Sequence, residues 1–129
     1  MSSTTSFGTS SFTSSASPGA AGAAAAALTT VTVTAADGAD VTIGAIDAEG
    51  ASLTSVSLTA STTGSVITMS GLGLDTENIT SIAAITGTAV SGATVDIENI
   101  EATTVGQLTF SGAGTFRADG TDMDITTLE

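Results

Sequence analysis

The phrase LTTVTVTAA at residues 28–36 returns 25 residues later as LTSVSLTAS at residues 53–61. An echo at a fixed period in the twenties is the mark of stacked supersecondary units, each unable to bury its apolar face alone. From Leu28 onward the chain divides into LTTVTVTAADGADVTIGAIDAEGAS (28–52), LTSVSLTASTTGSVITMSGLGLDTEN (53–78), ITSIAAITGTAVSGATVDIENIEATT (79–104) and VGQLTFSGAGTFRADGTDMDITTLE (105–129). Their starts lie 25, 26 and 26 residues apart.

Within each unit the apolar residues alternate as they do on a strand. Leu28, Val31 and Val33 match Leu53, Val56 and Leu58, then Ile79, Ile82 and Ile85, then Val105, Leu108 and Phe110. The third unit has one residue too many, with Ala84 and Ile85 competing for the last column, an excess that a β-bulge would absorb. A glycine-bearing turn follows, at Gly38, Gly64, Gly92 and Gly112 or Gly114. A second apolar set comes next: Val41/Ile43, Val66/Met69, Val95/Ile97 and Thr115/Phe116. A third closes each unit: Ile46, Leu72/Leu74, Ile100 and Met123/Ile125.

Three short segments per repeat describe one coil of a parallel solenoid. The fold class expected is all-β: a short parallel β-solenoid of about four coils of 25–26 residues with an extended N-terminal arm. An antiparallel sandwich would also place strands at short, regular spacing. The constant period and the repeated columns favour the solenoid.

Residues 1–27 precede the repeat domain of residues 28–129. They are Ser, Thr, Gly and Ala, with Phe7 and Phe12 among their few large side chains and no charge. That composition suits a flexible linker. Two aromatics in so plain an arm suit equally a strand that docks on a neighbour. The run GAAGAAAAAL (19–28) is too short to span a bilayer, and no basic segment marks a cleaved secretory signal.

The chain of 129 residues carries 13 acidic side chains and a single cation, Arg117, for a net charge of −12. Nucleic acid is excluded as a partner, because phosphate binding needs Lys and Arg. Anionic membrane surfaces are disfavoured for the same reason, and no membrane insertion is expected. There is no His, Cys, Lys or Tyr, so the usual activated nucleophiles and general bases are missing, and no enzyme is expected.

The acids recur as acid-x-acid pairs: Asp47/Glu49, Asp75/Glu77, Asp96/Glu98 and Asp122/Asp124. On a strand both carboxylates of a pair face outward. Stacked in register, they would lie about 5 Å from the next pair and repel. Calcium bridging is one resolution; solvated pairs that guard the sheet edges are the other. Outward hydroxyls raise a further reading, ice binding. The ranks Thr32-x-Thr34, Ser57-x-Thr59 and Thr109-x-Ser111 form a face that Ala83 breaks in the third unit.

The phrases LTTVTVTAADGADVTI, LTSVSLTASTTGSVITM and VGQLTFSGAGTFRADG resemble the Thr/Ala/Gly-rich β-solenoid repeats of bacterial surface-layer proteins and adhesins exported by type I secretion. The resemblance covers residues 28–129. It implies an acidic, extracellular or cell-surface structural protein, an uncleaved C-terminal export signal that ADGTDMDITTLE would suit, and assembly that often uses calcium. The nonapeptide GGxGxDxUx of RTX calcium repeats is absent. Met1 is expected of a complete chain.

Four rungs make a stack only about 20 Å tall, and its two ends would expose unpaired strand edges. No cap is evident at either end of the repeats. The function expected is therefore head-to-tail self-assembly into a filament or lattice. The contact residues expected are Phe7, Phe12, Leu28, Val31 and Val33 at one end, and Leu108, Phe110, Ile125 and Leu128 at the other. The alternative is a monomeric adhesin or ice-binding module whose tail folds back over the open end.

Overall fold

In a computed structural model, residues 10–16, 28–46, 52–73, 79–119 and 125–128 are described. They form eleven strands: β1 (Ser10–Ala16), β2 (Leu28–Ala35), β3 (Asp40–Ile43), β4 (Ser52–Leu53), β5 (Ser55–Ala60), β6 (Val66–Met69), β7 (Ser81–Ala89), β8 (Thr94–Ile97), β9 (Val105–Ser111), β10 (Thr115–Ala118) and β11 (Ile125–Leu128). No helix occurs among the described residues.

The strands stack as a parallel β-solenoid. One sheet runs β1-β2-β5-β7-β9-β11, with β4 beside β7; the second runs β3-β6-β8-β10. The third side of the coil is a line of single parallel bridges, Ile46 to Leu72 and Leu72 to Ile100, with Ile79 to Ala102 beside it. Every pairing in both sheets is parallel except β1 with β2.

The register differs from the sequence reading in the third coil. Val31 pairs Val56 and Val33 pairs Leu58 as expected. Val56, however, pairs Ile85, and Leu58 pairs Gly87. Leu53 pairs Ile82 and Ile82 pairs Val105, so Ile82, not Ile79, opens the third coil. The ladder from β5 through β7 to β9 contains no bulge. The extra residues lie in the connection before Ile82, where Ile79 bridges Ala102 on the third side. Each coil thus repeats an apolar residue at positions 1, 4 and 6, with glycine in the third coil at position 6. That glycine hid the match.

Gly87 is compensated by its neighbour. Phe110 pairs it on β9, and the Phe110 ring fills the volume a side chain on Gly87 would need. Large and small residues alternate along the column, which holds close packing without a void.

In the second sheet the inward columns are Val41, Ile67, Val95, Phe116 and Ile43, Met69, Ile97, Ala118. Val66 and Thr115, expected inside, point out. Val66 pairs Asp40 and Thr94, and Thr115 is exposed. Ile125, expected to close the fourth coil, instead pairs Val105 and begins a fifth rung. Leu74 and Met123 lie outside the described residues.

The core runs the height of the stack: Val31, Val33, Val56, Leu58, Ile67, Met69, Leu72, Ile79, Ile82, Ile85, Val95, Ile97, Ile100 and Val105 are all 0% exposed. Burying a Val, Leu or Ile of this kind is worth about 1.5–3 kcal/mol. The corner between the sheets needs left-handed backbone, and glycine supplies it at Gly38, Gly64, Gly92 and Gly112, with φ of 74°, 82°, 76° and 104°. Buried Ser65 is satisfied there through Thr62 Oγ1 at 2.9 Å, and the same Thr62 oxygen accepts the Gly38 amide at 3.1 Å.

Candidate functional site

The two ends of the stack differ. At the N-terminal end, β1 lies antiparallel on β2 of its own chain, from Ser10 opposite Ala35 to Ala16 opposite Leu28, and Phe12 falls opposite Val33. The Leu28 edge is therefore occupied within the chain. The expectation of an uncapped first strand is corrected for this sheet. Ser and Thr at most β1 positions hid it, since a strand recruited by an existing edge needs no apolar alternation of its own.

The second sheet has no such cap among the described residues. Its first strand, β3, is terminal. Val41 and Ile43 on β3, and Ile46 beyond it, are half-buried, whereas Ile67, Met69 and Leu72 one rung inward are 0% exposed. At the opposite end β10 is terminal. Phe110 and Phe116 stack there with ring centroids 5.0 Å apart and planes 28° apart, and both are half-buried with Ala118.

Several expected contact residues turn out to be core. Val31 and Val33 are 0% exposed and Leu108 is 3% exposed. Leu108 pairs Leu128 of β11, and Ile125 pairs Val105, so those two C-terminal residues extend the first sheet. Phe110 stands at an end with part of its surface free. Phe7 lies outside the described residues. Sequence reasoning missed Val41, Ile43 and Phe116 as end residues, because inward position is legible in a repeat and order in the stack is not.

Of the eight acids expected to hold calcium, Asp96 and Glu98 are described; Asp47, Glu49, Asp75, Glu77, Asp122 and Asp124 lie outside the described residues. Asp96, on β8, faces Arg117 on β10, its register partner, with Nη1 4.0 Å from Asp96 Oδ2. Arg117 also donates to Asp119 Oδ2 from Nε at 3.1 Å and from Nη2 at 2.8 Å. The Asp119 hydrogen bond and charge, then Asp96, push the guanidinium pKa above its ordinary value, and Glu98 adds less than desolvation takes away. Asp96 stands between Thr68 on β6 and Arg117 on β10, so the repulsion expected between stacked acids does not arise at this position. No group of three acids able to hold a metal exists among the described residues.

One buried acid escaped the sequence reading. Glu101 is 4% exposed and its Oε1 accepts from Asn99 Nδ2 at 2.8 Å. Its amide donates to Leu72 O and its carbonyl accepts from Ile79 N, which makes it a structural group of the third side.

The outward positions of the first sheet change most. With the corrected register, Thr32, Ser57, Thr86 and Thr109 form one column, and Thr34, Thr59, Thr88 and Ser111 the next. The third rung reads Thr86-x-Thr88, and the break assigned to Ala83 does not exist. Thr88 Oγ1 and Ser111 Oγ lie 3.2 Å apart across adjacent rungs.

Comparison with protein-family models, curated proteins and solved structures returned no match.

Proposed function

We propose that the chain is a structural subunit, extracellular or on a cell surface, that polymerises end to end by continuing its own ladder. In this reading the β10 end of one copy faces the β3 end of the next, with β11 and the neighbour's β1 lying between them in the first sheet. The half-buried Phe116 and Ala118 of one copy and the half-buried Val41 and Ile43 of the next are then covered at the junction. The supporting observation is the pair of terminal strands in the second sheet, whose apolar residues are half-buried where their stacking partners are sealed.

A junction between unlike ends does not close on itself, so it propagates as a filament. The first sheet contributes β11 at one end and β1 at the other, with the arm acting as part of its own copy. The partner in this reading is a second copy of the chain. Twelve net negative charges per copy repel, so assembly is expected to strengthen with ionic strength.

Electron microscopy and light scattering across a concentration series, with and without calcium, test the reading. Rods that lengthen with concentration and salt are expected. Dispersed monomers at high concentration and high salt overturn it.

A further inference from the structure

We infer that the two hydroxyl columns of the first sheet are an ice-binding surface. This goes beyond end-to-end assembly and does not depend on it. The columns, Thr32/Ser57/Thr86/Thr109 and Thr34/Thr59/Thr88/Ser111, present one hydroxyl per rung in each line. Rungs repeat at about 4.8 Å and alternate residues along a strand at about 6.6 Å. The result is a two-dimensional lattice of groups that each donate and accept.

Three features point to ordered water as the occupant. The first is charge. Outward positions of the second sheet include Asp40, Asp96 and Arg117, yet the corresponding positions of β2, β5, β7 and β9 carry none, in a chain with 13 acids. A charged group would orient its own hydration shell and disrupt a lattice of neutral hydrogen bonds. The second is preorganisation. Six of the eight positions are threonine, whose χ1 is stiff, and each strand rests on core residues such as Val56, Leu58 and Ile85 at 0% exposure. Little freedom remains to be lost on binding. The third is the absence of aromatic rings from these columns, which argues against a polysaccharide surface read by stacking.

The experiment measures thermal hysteresis and inhibition of ice recrystallisation by the full chain, alongside Thr86→Lys on this face and Thr68→Lys on the second sheet. Activity in the wild type, its loss in Thr86→Lys and its retention in Thr68→Lys are expected, with melting temperatures confirming that both variants fold. If Thr86→Lys unfolds, Thr59→Lys replaces it. Four outcomes overturn the inference: a folded wild type without effect on ice, equal loss in both variants, retention in the folded face variant, or binding to insoluble cellulose or chitin in its place.

Discussion

The ring of Phe110 occupies the space above Gly87: a Cβ on Gly87 would stand 2.5 Å from Phe110 Cδ1 and 2.7 Å from Cε1. The two residues are register partners on β7 and β9, so the smallest and one of the largest side chains share one column.

Gly87→Leu is expected to destabilise the fold by about 1–3 kcal/mol through overpacking. Phe110→Ala alone leaves the column short of volume and also costs stability. The double variant restores a leucine beneath Leu58 and is expected to recover part of both losses. Urea unfolding of the four proteins measures the coupling; additive losses would show that the two side chains do not share this space.

Burial within one column predicts a gradient from the middle of the stack to its end. Ile67→Ala removes a fully buried side chain and is expected to cost about 2–5 kcal/mol. Val41→Ala, half-buried on the terminal strand one rung away, is expected to cost clearly less. Denaturant midpoints check the order. Equal losses in dilute, monomeric protein would mean that the β3 end is covered.

Arg117 stands between Asp96 and Asp119 on the exposed second sheet. Arg117→Gln leaves Asp96, Glu98 and Asp119 without the cation, and is expected to lower the melting temperature at low salt. Screening weakens both the lost attraction and the remaining repulsion, so the gap from wild type should narrow as salt rises. A gap independent of salt would assign the effect to lost packing.

Removing residues 2–20 takes away β1 and bares the edge of β2. Amides of β2 that lie on that edge are expected to exchange faster. The exposed strand should also pair more readily with other copies. Hydrogen exchange and light scattering follow the two effects. If the truncated chain assembles less than the full chain, the arm is a staple between copies and not a cap on its own.

Much of the architecture is legible in the repeat. Alternation in LTTVTVTAA and LTSVSLTAS is enough to place Val31 under Val56 and Val33 under Leu58, because a strand in a stack must bury every second residue. The glycine corners are equally legible, since left-handed backbone at Gly38, Gly64 and Gly92 has few other solutions. The third coil defeated the pattern: Gly87 in an apolar column looks like a break, and only a ring reaching back from the next rung makes it a match.

The sequence by itself therefore determined the class of fold, the first-sheet inward columns of the first two coils and the near-absence of cations. Tertiary structure alone decided three things: that Ile82 opens the third coil, that β1 returns onto β2, and that the hydroxyl columns run unbroken. The physical reason is common to all three. Period and composition act along the chain, whereas register and edge capping are settled between rungs, by which side chains fill one another's space and which free strand finds an edge.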